Sequence, residues 1–473
     1  MYKIIFFVVA ISFSISSMAQ ISLPKLFADG MVLQQQAEVS IWGKAIPGQK
    51  VEILPSWSDT SYSNSVLKDS TWQIKINTPA ASYEKHYLTV SSGKVVLTIN
   101  DVLIGEVWLC SGQSNMALPI KGARNQGVEG SLDAIVNSEN DHLRYFGVHQ
   151  LSALEKQKEV RGIWQFASPK TTGNFSAVGY FFAKKLQGAI DVPVGIIVCA
   201  WGGSRIEAWM SKESLSPFNF VKLPETEEDN KVKMQTPTVL FNGMVNGIIG
   251  YGIKGVLWYQ GESNRDIYEQ YPELFNAMHN DWMKRWSIGE FPIYFAQIAP
   301  FAYENMDNAP HSALMRESQS QIANKQPLTA MVVLSDVGDS LCIHPPKKRE
   351  VGERFAYLAM GKSYGMDFLD YQSPHYKSIE IKDDKILVSF DSPKGVTFNE
   401  NKRTGFEIAG ADKQFFPAEV QFDAHYDTVI TLSSTKIQNP VAVRYGWKNY
   451  FKATLFGANG IPVSSFRSDD WDY

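Results

Sequence analysis

The chain has 473 residues, of which 44% are hydrophobic and 20% are charged, and its formal net charge is −4. This length exceeds one ordinary domain, and the composition excludes a disordered chain and predicts two or three domains with sizeable cores. The slightly acidic balance, with no basic run that stands out, gives no indication of a nucleic-acid partner.

The first twenty residues, MYKIIFFVVAISFSISSMAQ, follow the pattern of an export signal. Lys3 supplies a short positive region, Ile4–Ile15 is apolar, and Ser17–Ala19 offers small residues for cleavage. We expect residues 1–19 to be a signal peptide and the mature protein to start near Gln20, in a periplasm or outside the cell. No later run of 18 apolar residues follows, so no membrane partner is expected after cleavage. The sequence indicates no particular oligomeric state.

Two regions at the ends of the mature chain carry the apolar–polar alternation that is typical of β-strands. In residues 20–100 apolar side chains recur at every second position, and Pro47–Gly48 and Ser92–Gly93 mark turns. The same rhythm returns in residues 372–473. We therefore predict an N-terminal β-sandwich domain and a C-terminal β domain.

Residues 101–371 have a different rhythm, in which short apolar runs alternate with helix-like stretches. Such alternation predicts an α/β domain with a parallel sheet and helices on both faces. The predicted strands are Ile104–Cys110, Leu143–Val148, Val194–Ala200, Gly255–Tyr259, Ile293–Ile298 and Met331–Leu334, and the predicted helices are Ser176–Ala189, Ile267–Trp286, Ala313–Ala323 and Glu350–Met360.

Four polar clusters directly follow predicted strands of this domain. Since reactive groups in open α/β sheets gather outside the carboxyl ends of the strands, we expect all four clusters to converge on one rim. They are Gly112–Met116 (GQSNM), Ala200–Trp209 (AWGGSRIEAW), Trp258–Asn264 (WYQGESN) and Asp336–His344 (DVGDSLCIH).

The residue types in these clusters fit acyl transfer by a serine. The hydroxyl of Ser114 is a weak nucleophile that needs an adjacent base, and the imidazole of His344 fits that role. A carboxylate must orient the imidazole and stabilise its charged form. An oxyanion needs hydrogen-bond donors, and the candidates are the N–H groups of Ser114, Gly202 or Gly203 and the side-chain amides of Gln260 or Asn264.

The sequence predicts neither a metal nor another cofactor. It contains no H-E-x-x-H motif and no paired Cys/His spacing. The three cysteines, Cys110, Cys199 and Cys342, are too few for a disulfide framework, although a Cys110–Cys199 bridge stays open.

The motifs GQSNM, WGGS, WYQGESN and D-x-G-x(5)-H-P together resemble the sialate O-acetylesterase family of SGNH-type serine hydrolases. The segments FADGMVLQ, NPVAVRYGW and GIPVSSFRSDD extend this resemblance to nearly all of the mature chain. It implies an SGNH-hydrolase-like three-layer α/β/α core, flanked by β-sandwich regions, that removes O-acetyl groups from sugars without a metal. By motif, Ser114 is the nucleophile and His344 the base.

The resemblance leaves the acid open. Many SGNH hydrolases carry it three residues before the histidine, where this chain has Leu341. Related carbohydrate acetylesterases use the glutamate of the QGE block, which is Glu262 here, and Asp339 and Asp336 are the alternatives. Gln113 is a candidate for substrate binding.

Arg205 is the one cation beside the paired glycines. Its guanidinium suits a substrate carboxylate, but an ion pair with Glu207 or another acid is the alternative. We expect a sialate O-acetylesterase; an esterase for acetylated xylan or another plant polysaccharide is the first alternative. A carbohydrate-binding protein with an inactive core is the alternative from another class.

Overall fold

The computed structural model describes residues 21–303, 309–399, 402–422 and 428–471, so the predicted signal peptide at 1–19 lies outside the described residues. The strands are β1 (Val32–Gln34), β2 (Glu38–Lys44), β3 (Lys50–Pro55), β4 (Tyr62–Ser65), β5 (Thr71–Asn77), β6 (Ser82–Ser92), β7 (Val95–Gly112), β8 (Asn140–Gly147), β9 (Trp164–Ala167), β10 (Val194–Ala200), β11 (Gly255–Tyr259), β12 (Ile293–Ala296), β13 (Thr329–Val332), β14 (His375–Lys382), β15 (Lys385–Asp391), β16 (Val396–Phe398), β17 (Phe406–Ala409), β18 (Phe415–Pro417), β19 (Glu419–Phe422), β20 (Val429–Ser433), β21 (Ala442–Tyr445), β22 (Leu455–Gly457) and β23 (Phe466–Arg467). The α-helices are α1 (Ser114–Ala117), α2 (Ser131–Val136), α3 (Ala177–Ile190), α4 (Lys212–Leu215), α5 (Tyr271–Trp286), α6 (His311–Lys325) and α7 (Lys348–Ser363).

The centre of the fold is a sheet in the order β13-β12-β11-β7-β10-β8-β9. Neighbouring strands from β13 to β8 run parallel, whereas β9 is antiparallel to β8 and closes one edge. The predicted bounds of β10 and β11 coincide with the observed ones. The strands predicted at Leu143–Val148, Ile293–Ile298 and Met331–Leu334 differ from β8, β12 and β13 by a few residues, whereas the strand predicted at Ile104–Cys110 is the last part of the much longer β7. The α/β class predicted from the sequence is therefore confirmed.

Both faces of this sheet are covered by helices, because its strands are apolar on both sides. In β7, Val107 and Leu109 belong to the core that includes residues of α5 and α6. Trp108 and Cys110, one residue out of phase, belong to the core that includes α3 and α7. This alternation places one sheet between two helical layers, as continuous apolar runs in parallel strands require. All three cysteines are free, so Cys110 and Cys199 do not form the bridge left open above.

Strand β7 joins the N-terminal β region to the central sheet. Its first part pairs with β6 and β1, and its last seven residues pair with β10 and β11. The boundary predicted between residues 100 and 101 thus falls inside one continuous strand. The change of rhythm at that point marks the entry of the strand into a sheet buried on both faces, and the backbone does not break there.

The C-terminal region is rich in β-structure, with the sheets β14-β15-β20-β19 and β18-β17-β21-β23 and the pair β16-β22. It is attached to the central part through buried side chains of α6 and of the residue that follows β12. The guanidinium of the fully buried Arg316 donates to the carbonyls of Gly446 and Lys448 and to Ser465 Oγ. Gln297 Nε2 donates to Ser464 Oγ over 2.8 Å. In the part of the chain that the structure describes, no helix has the length and apolarity needed to cross a membrane.

Candidate active site

The four polar clusters meet at one rim of the central sheet, as the strand order predicts. Ser114 follows β7, Gly202 follows β10, Glu262 follows β11, and His344 lies in the loop between β13 and α7. Because these four strands are parallel members of one sheet, their carboxyl ends share an edge.

A sharp turn between β7 and α1 presents Ser114 at this rim. Gly112 has φ +127°, and a Cβ there would lie 2.2 Å from the carbonyl oxygen of Tyr259 on the neighbouring strand. Only glycine fits such a close approach. Gln113 is extended, and the helix begins at Ser114, so the N–H groups of Ser114 and Asn115 have no partner inside the helix, whereas those of Met116 and Ala117 donate to the carbonyl of Gln113.

Ser114 and His344 are in direct contact. The Ser114 Oγ lies 2.7 Å from His344 Nε2, a hydrogen-bond distance, although the two residues are 230 positions apart. The loop that carries His344 is shaped by Asp339, whose Oδ1 accepts the N–H groups of Leu341 and Cys342 over 2.7 and 3.2 Å. This contact is the arrangement that a serine needs for deprotonation by a neighbouring base.

Gly202 lies directly against the serine. A Cβ at Gly202 would be 3.2 Å from Ser114 Cβ, whereas a Cβ at Gly203 would approach Met234 instead. The backbone at Gly202 therefore lies against the Ser114 side chain, a contact that Gly203 does not make.

The side-chain amides of Gln260 and Asn264, which the sequence offers as alternative oxyanion donors, are hydrogen-bonded within the protein. Both are fully buried. Gln260 Nε2 donates to Ser204 O and to Asn264 Oδ1. Asn264 Nδ2 donates to Glu207 Oε2, and its Oδ1 also accepts the N–H of Ile206. The two amides thus hold the Gly-Gly loop in place.

Gln113 and Arg205, the two candidates for substrate binding, also make contacts within the protein. The buried Gln113 Oε1 accepts the N–H groups of Gly261 and Ser263 over 3.3 and 3.4 Å. Arg205 pairs with Glu207 at 3.3 Å and with Asp266 at 3.1 Å. Two carboxylates already balance its charge, as the ion-pair alternative predicted.

Asn115 connects the segments of Ser114 and His344, and the sequence analysis does not single it out. Its Nδ2 donates to Glu262 Oε1 over 2.6 Å and to the carbonyl of Ile343 over 3.2 Å, and its Oδ1 accepts from Lys348 Nζ. Since Asn115 follows Ser114 and Ile343 precedes His344, one amide links the backbone segments of these two residues. The signal in the sequence was its position directly after the serine.

None of the three candidate acids is hydrogen-bonded to the imidazole among the described residues. Glu262 bonds Asn115, and Asp339 bonds the backbone of its own loop. Both oxygens of Asp336 pair with Arg354, at 2.7 and 2.6 Å. His344 Nδ1 and Glu262 Oε2 are both buried without a hydrogen-bond partner.

Burial shifts the ionisation of this cluster toward neutral forms. It raises the pKa of the Glu262 carboxyl, although the hydrogen bond from Asn115 and the charge of Lys348 act in the opposite direction. Burial lowers the pKa of Lys348 to about 7. Burial and then the charge of Lys348 lower the pKa of His344 below its ordinary 6.5, so its imidazole is neutral at pH 7 and able to accept a proton.

No group of three His, Cys, Asp or Glu residues is arranged to hold a metal ion within the described ranges. A serine hydroxyl in contact with an imidazole, beside the backbone of Gly202, is an arrangement suited to acyl transfer.

Comparison with known proteins shows what this chain is similar to. The family profile for "Carbohydrate esterase, sialic acid-specific acetylesterase" matches residues 104–360. A sialate O-acetylesterase of Mus musculus is 28% identical, over 89% of this chain and 88% of its own, and a sialate O-acetylesterase of Homo sapiens is 26% identical, over 89% and 86%. The crystal structure of a novel carbohydrate acetylesterase from Xanthomonas citri superposes with a TM-score of 0.86, with 34% identity, covering 95% of this chain and all of that one.

Proposed function

The chain belongs to the carbohydrate esterase family of sialic acid-specific acetylesterases, and from that membership we propose that it is a serine esterase of the SGNH type whose substrates are O-acetylated sialic acids. It is a carbohydrate O-acetylesterase, and therefore a carboxylic ester hydrolase. The observation that carries the serine mechanism is the 2.7 Å contact between Ser114 Oγ and His344 Nε2.

In the proposed reaction, His344 takes the proton of the Ser114 hydroxyl while Oγ attacks the carbonyl carbon of the acetyl ester. The N–H groups of Ser114 and Gly202 hold the oxyanion of the tetrahedral intermediate. Collapse of this intermediate releases the sugar oxygen, which receives the proton from His344. Water then attacks the acetyl-serine, with His344 again as base, and releases acetate.

Replacement of the nucleophile tests this mechanism. We expect Ser114→Ala to lower the turnover of p-nitrophenyl acetate by about 10⁴-fold or more, because no other group forms the acyl intermediate. Ser340→Ala, a serine of the loop that carries His344, is the matched control and should keep wild-type turnover. A Ser114→Ala protein that folds and retains a tenth of the activity would contradict the proposed nucleophile.

We propose Glu262 as the acidic member, acting through Asn115 rather than by a direct bond to the imidazole. Glu262→Gln keeps an acceptor for Asn115 Nδ2 and removes the negative charge, so we expect a sharp fall in kcat with the fold intact. The comparison is with Asp339→Asn and Asp336→Asn, assayed with the same ester and checked by thermal unfolding. Normal turnover of Glu262→Gln would assign the role to Asp339 or Asp336.

The sugar is the second part of the proposal. The description of the family and the names of the mammalian relatives support sialic acid. We expect a higher kcat/KM for O-acetylated sialic acid than for acetylated xylan when both are assayed by acetate release. The reverse order would make the protein an esterase for plant polysaccharide, and no acetate from either sugar, with Ser114 intact, would favour the inactive carbohydrate-binding alternative.

We further propose that the protein is exported, on the pattern of its first twenty residues. Mass spectrometry of the protein recovered from the periplasm or medium of an expressing bacterium should find Gln20 at its N-terminus. Retention of residues 1–19 in a cytoplasmic product would contradict export.

A further inference from the structure

A lysine lies fully buried beneath the nucleophile and the base. Lys348 begins α7 and has no exposed surface. Lysine is almost never buried in this way unless its ammonium is paired. Its Nζ donates to Asn115 Oδ1 and lies 5.8 Å from the centre of the Tyr259 ring. The burial of this cation next to Asn115 therefore suggests that Lys348 has a role at the site.

We propose that Lys348 is a positioning residue for the esterase reaction, which fixes Asn115 between Ser114 and His344 and keeps the imidazole of His344 in its neutral form. This inference rests on the proposed function, because it assigns Lys348 to the same pair of reacting groups.

The geometric part follows from the three hydrogen bonds of the Asn115 amide. The amide nitrogen has two hydrogens, and it donates to Glu262 and to the carbonyl of Ile343. Lys348 is the donor to the remaining oxygen, which fixes which way the amide is turned. Without this donor the amide loses its fixed orientation, and the tie between the segments of Ser114 and His344 loosens.

The electrostatic part follows from the charges that face the cluster. Burial lowers the pKa of His344, and the positive charge of Lys348 lowers it further. Lys348 in turn is faced by Glu262 and by the Cys342 thiol, and both favour its charged form. Below pH 7 the ammonium is protonated, and this is the range in which His344 would take up its own proton. Repulsion between two cations then disfavours the imidazolium, which is the inactive form of the base.

Three substitutions separate the hydrogen bond from the charge. Lys348→Gln keeps a donor without the charge, Lys348→Met removes both, and Lys348→Arg keeps both. Removing the charge raises the pKa of His344. We therefore expect the acid limb of kcat/KM to move to higher pH by about one pH unit in the Gln and Met variants, and to stay in place in the Arg variant. We expect kcat at pH 8 to fall roughly tenfold or more in the Met variant, and less in the Gln variant.

The matched control is Lys347→Met, which removes an exposed lysine one residue away. It should leave both the acid limb and kcat unchanged. If the limb stays in place in Lys348→Gln and Lys348→Met, Lys348 is a purely structural contact and the inference is wrong. If the Met variant does not fold, the Gln and Arg variants still give the comparison.

A second measurement does not depend on activity. NMR titration of the His344 ring, assigned by the loss of its signal in His344→Asn, should give a pKa below 6.5 in the wild-type protein and a higher one in Lys348→Gln. If this inference is wrong, the pKa of His344 will be the same in the wild-type protein and in Lys348→Gln, and Ser114→Ala will still be inactive. Failure of the proposed function leaves Ser114→Ala active, whatever the titration shows.

Discussion

The parallel pairing of β7 with β10 and β11 is the constraint from which the rest of the structure follows. Parallel register brings the ends of these strands to one edge, so residues from distant parts of the chain share a rim. The neighbouring strands lie so close at residue 112 that no side chain fits there. The strand must therefore end in a glycine turn, and that turn presents Ser114 at the rim, within reach of His344.

The buried polar side chains behind the rim form hydrogen bonds chiefly with other groups of the protein. Gln113, Gln260 and Asn264 bond the loops that follow neighbouring strands, so they maintain the shape of the rim. Asn115 does the same for the two reacting segments. Buried hydrogen bonds of this kind are strong and help to hold the segments of Ser114 and His344 in one arrangement.

The sequence predicted the elements whose signal is local. Strands β10 and β11 are apolar runs that end at glycine or polar residues, and their bounds were predicted residue for residue. The short antiparallel β9 and the four-residue α1 were not predicted, because segments of so few residues show no recognisable periodicity. The meeting of Ser114 and His344 was predicted because each of them follows a predicted strand of the same parallel sheet. The engagement of Gln260 and Arg205 and the burial of Lys348 depend on partners distant in sequence, so no local pattern shows them.

The passage of β7 through both regions has a consequence for how this architecture is modified. Its eighteen residues belong both to the N-terminal β region and to the strand that ends just before Ser114. The N-terminal part is therefore not a separable module, because its removal would take β1 and β6 away from the strand that leads to Ser114. A fusion of another domain to this end must therefore be made before β1, where the backbone does not yet pair with the shared sheet.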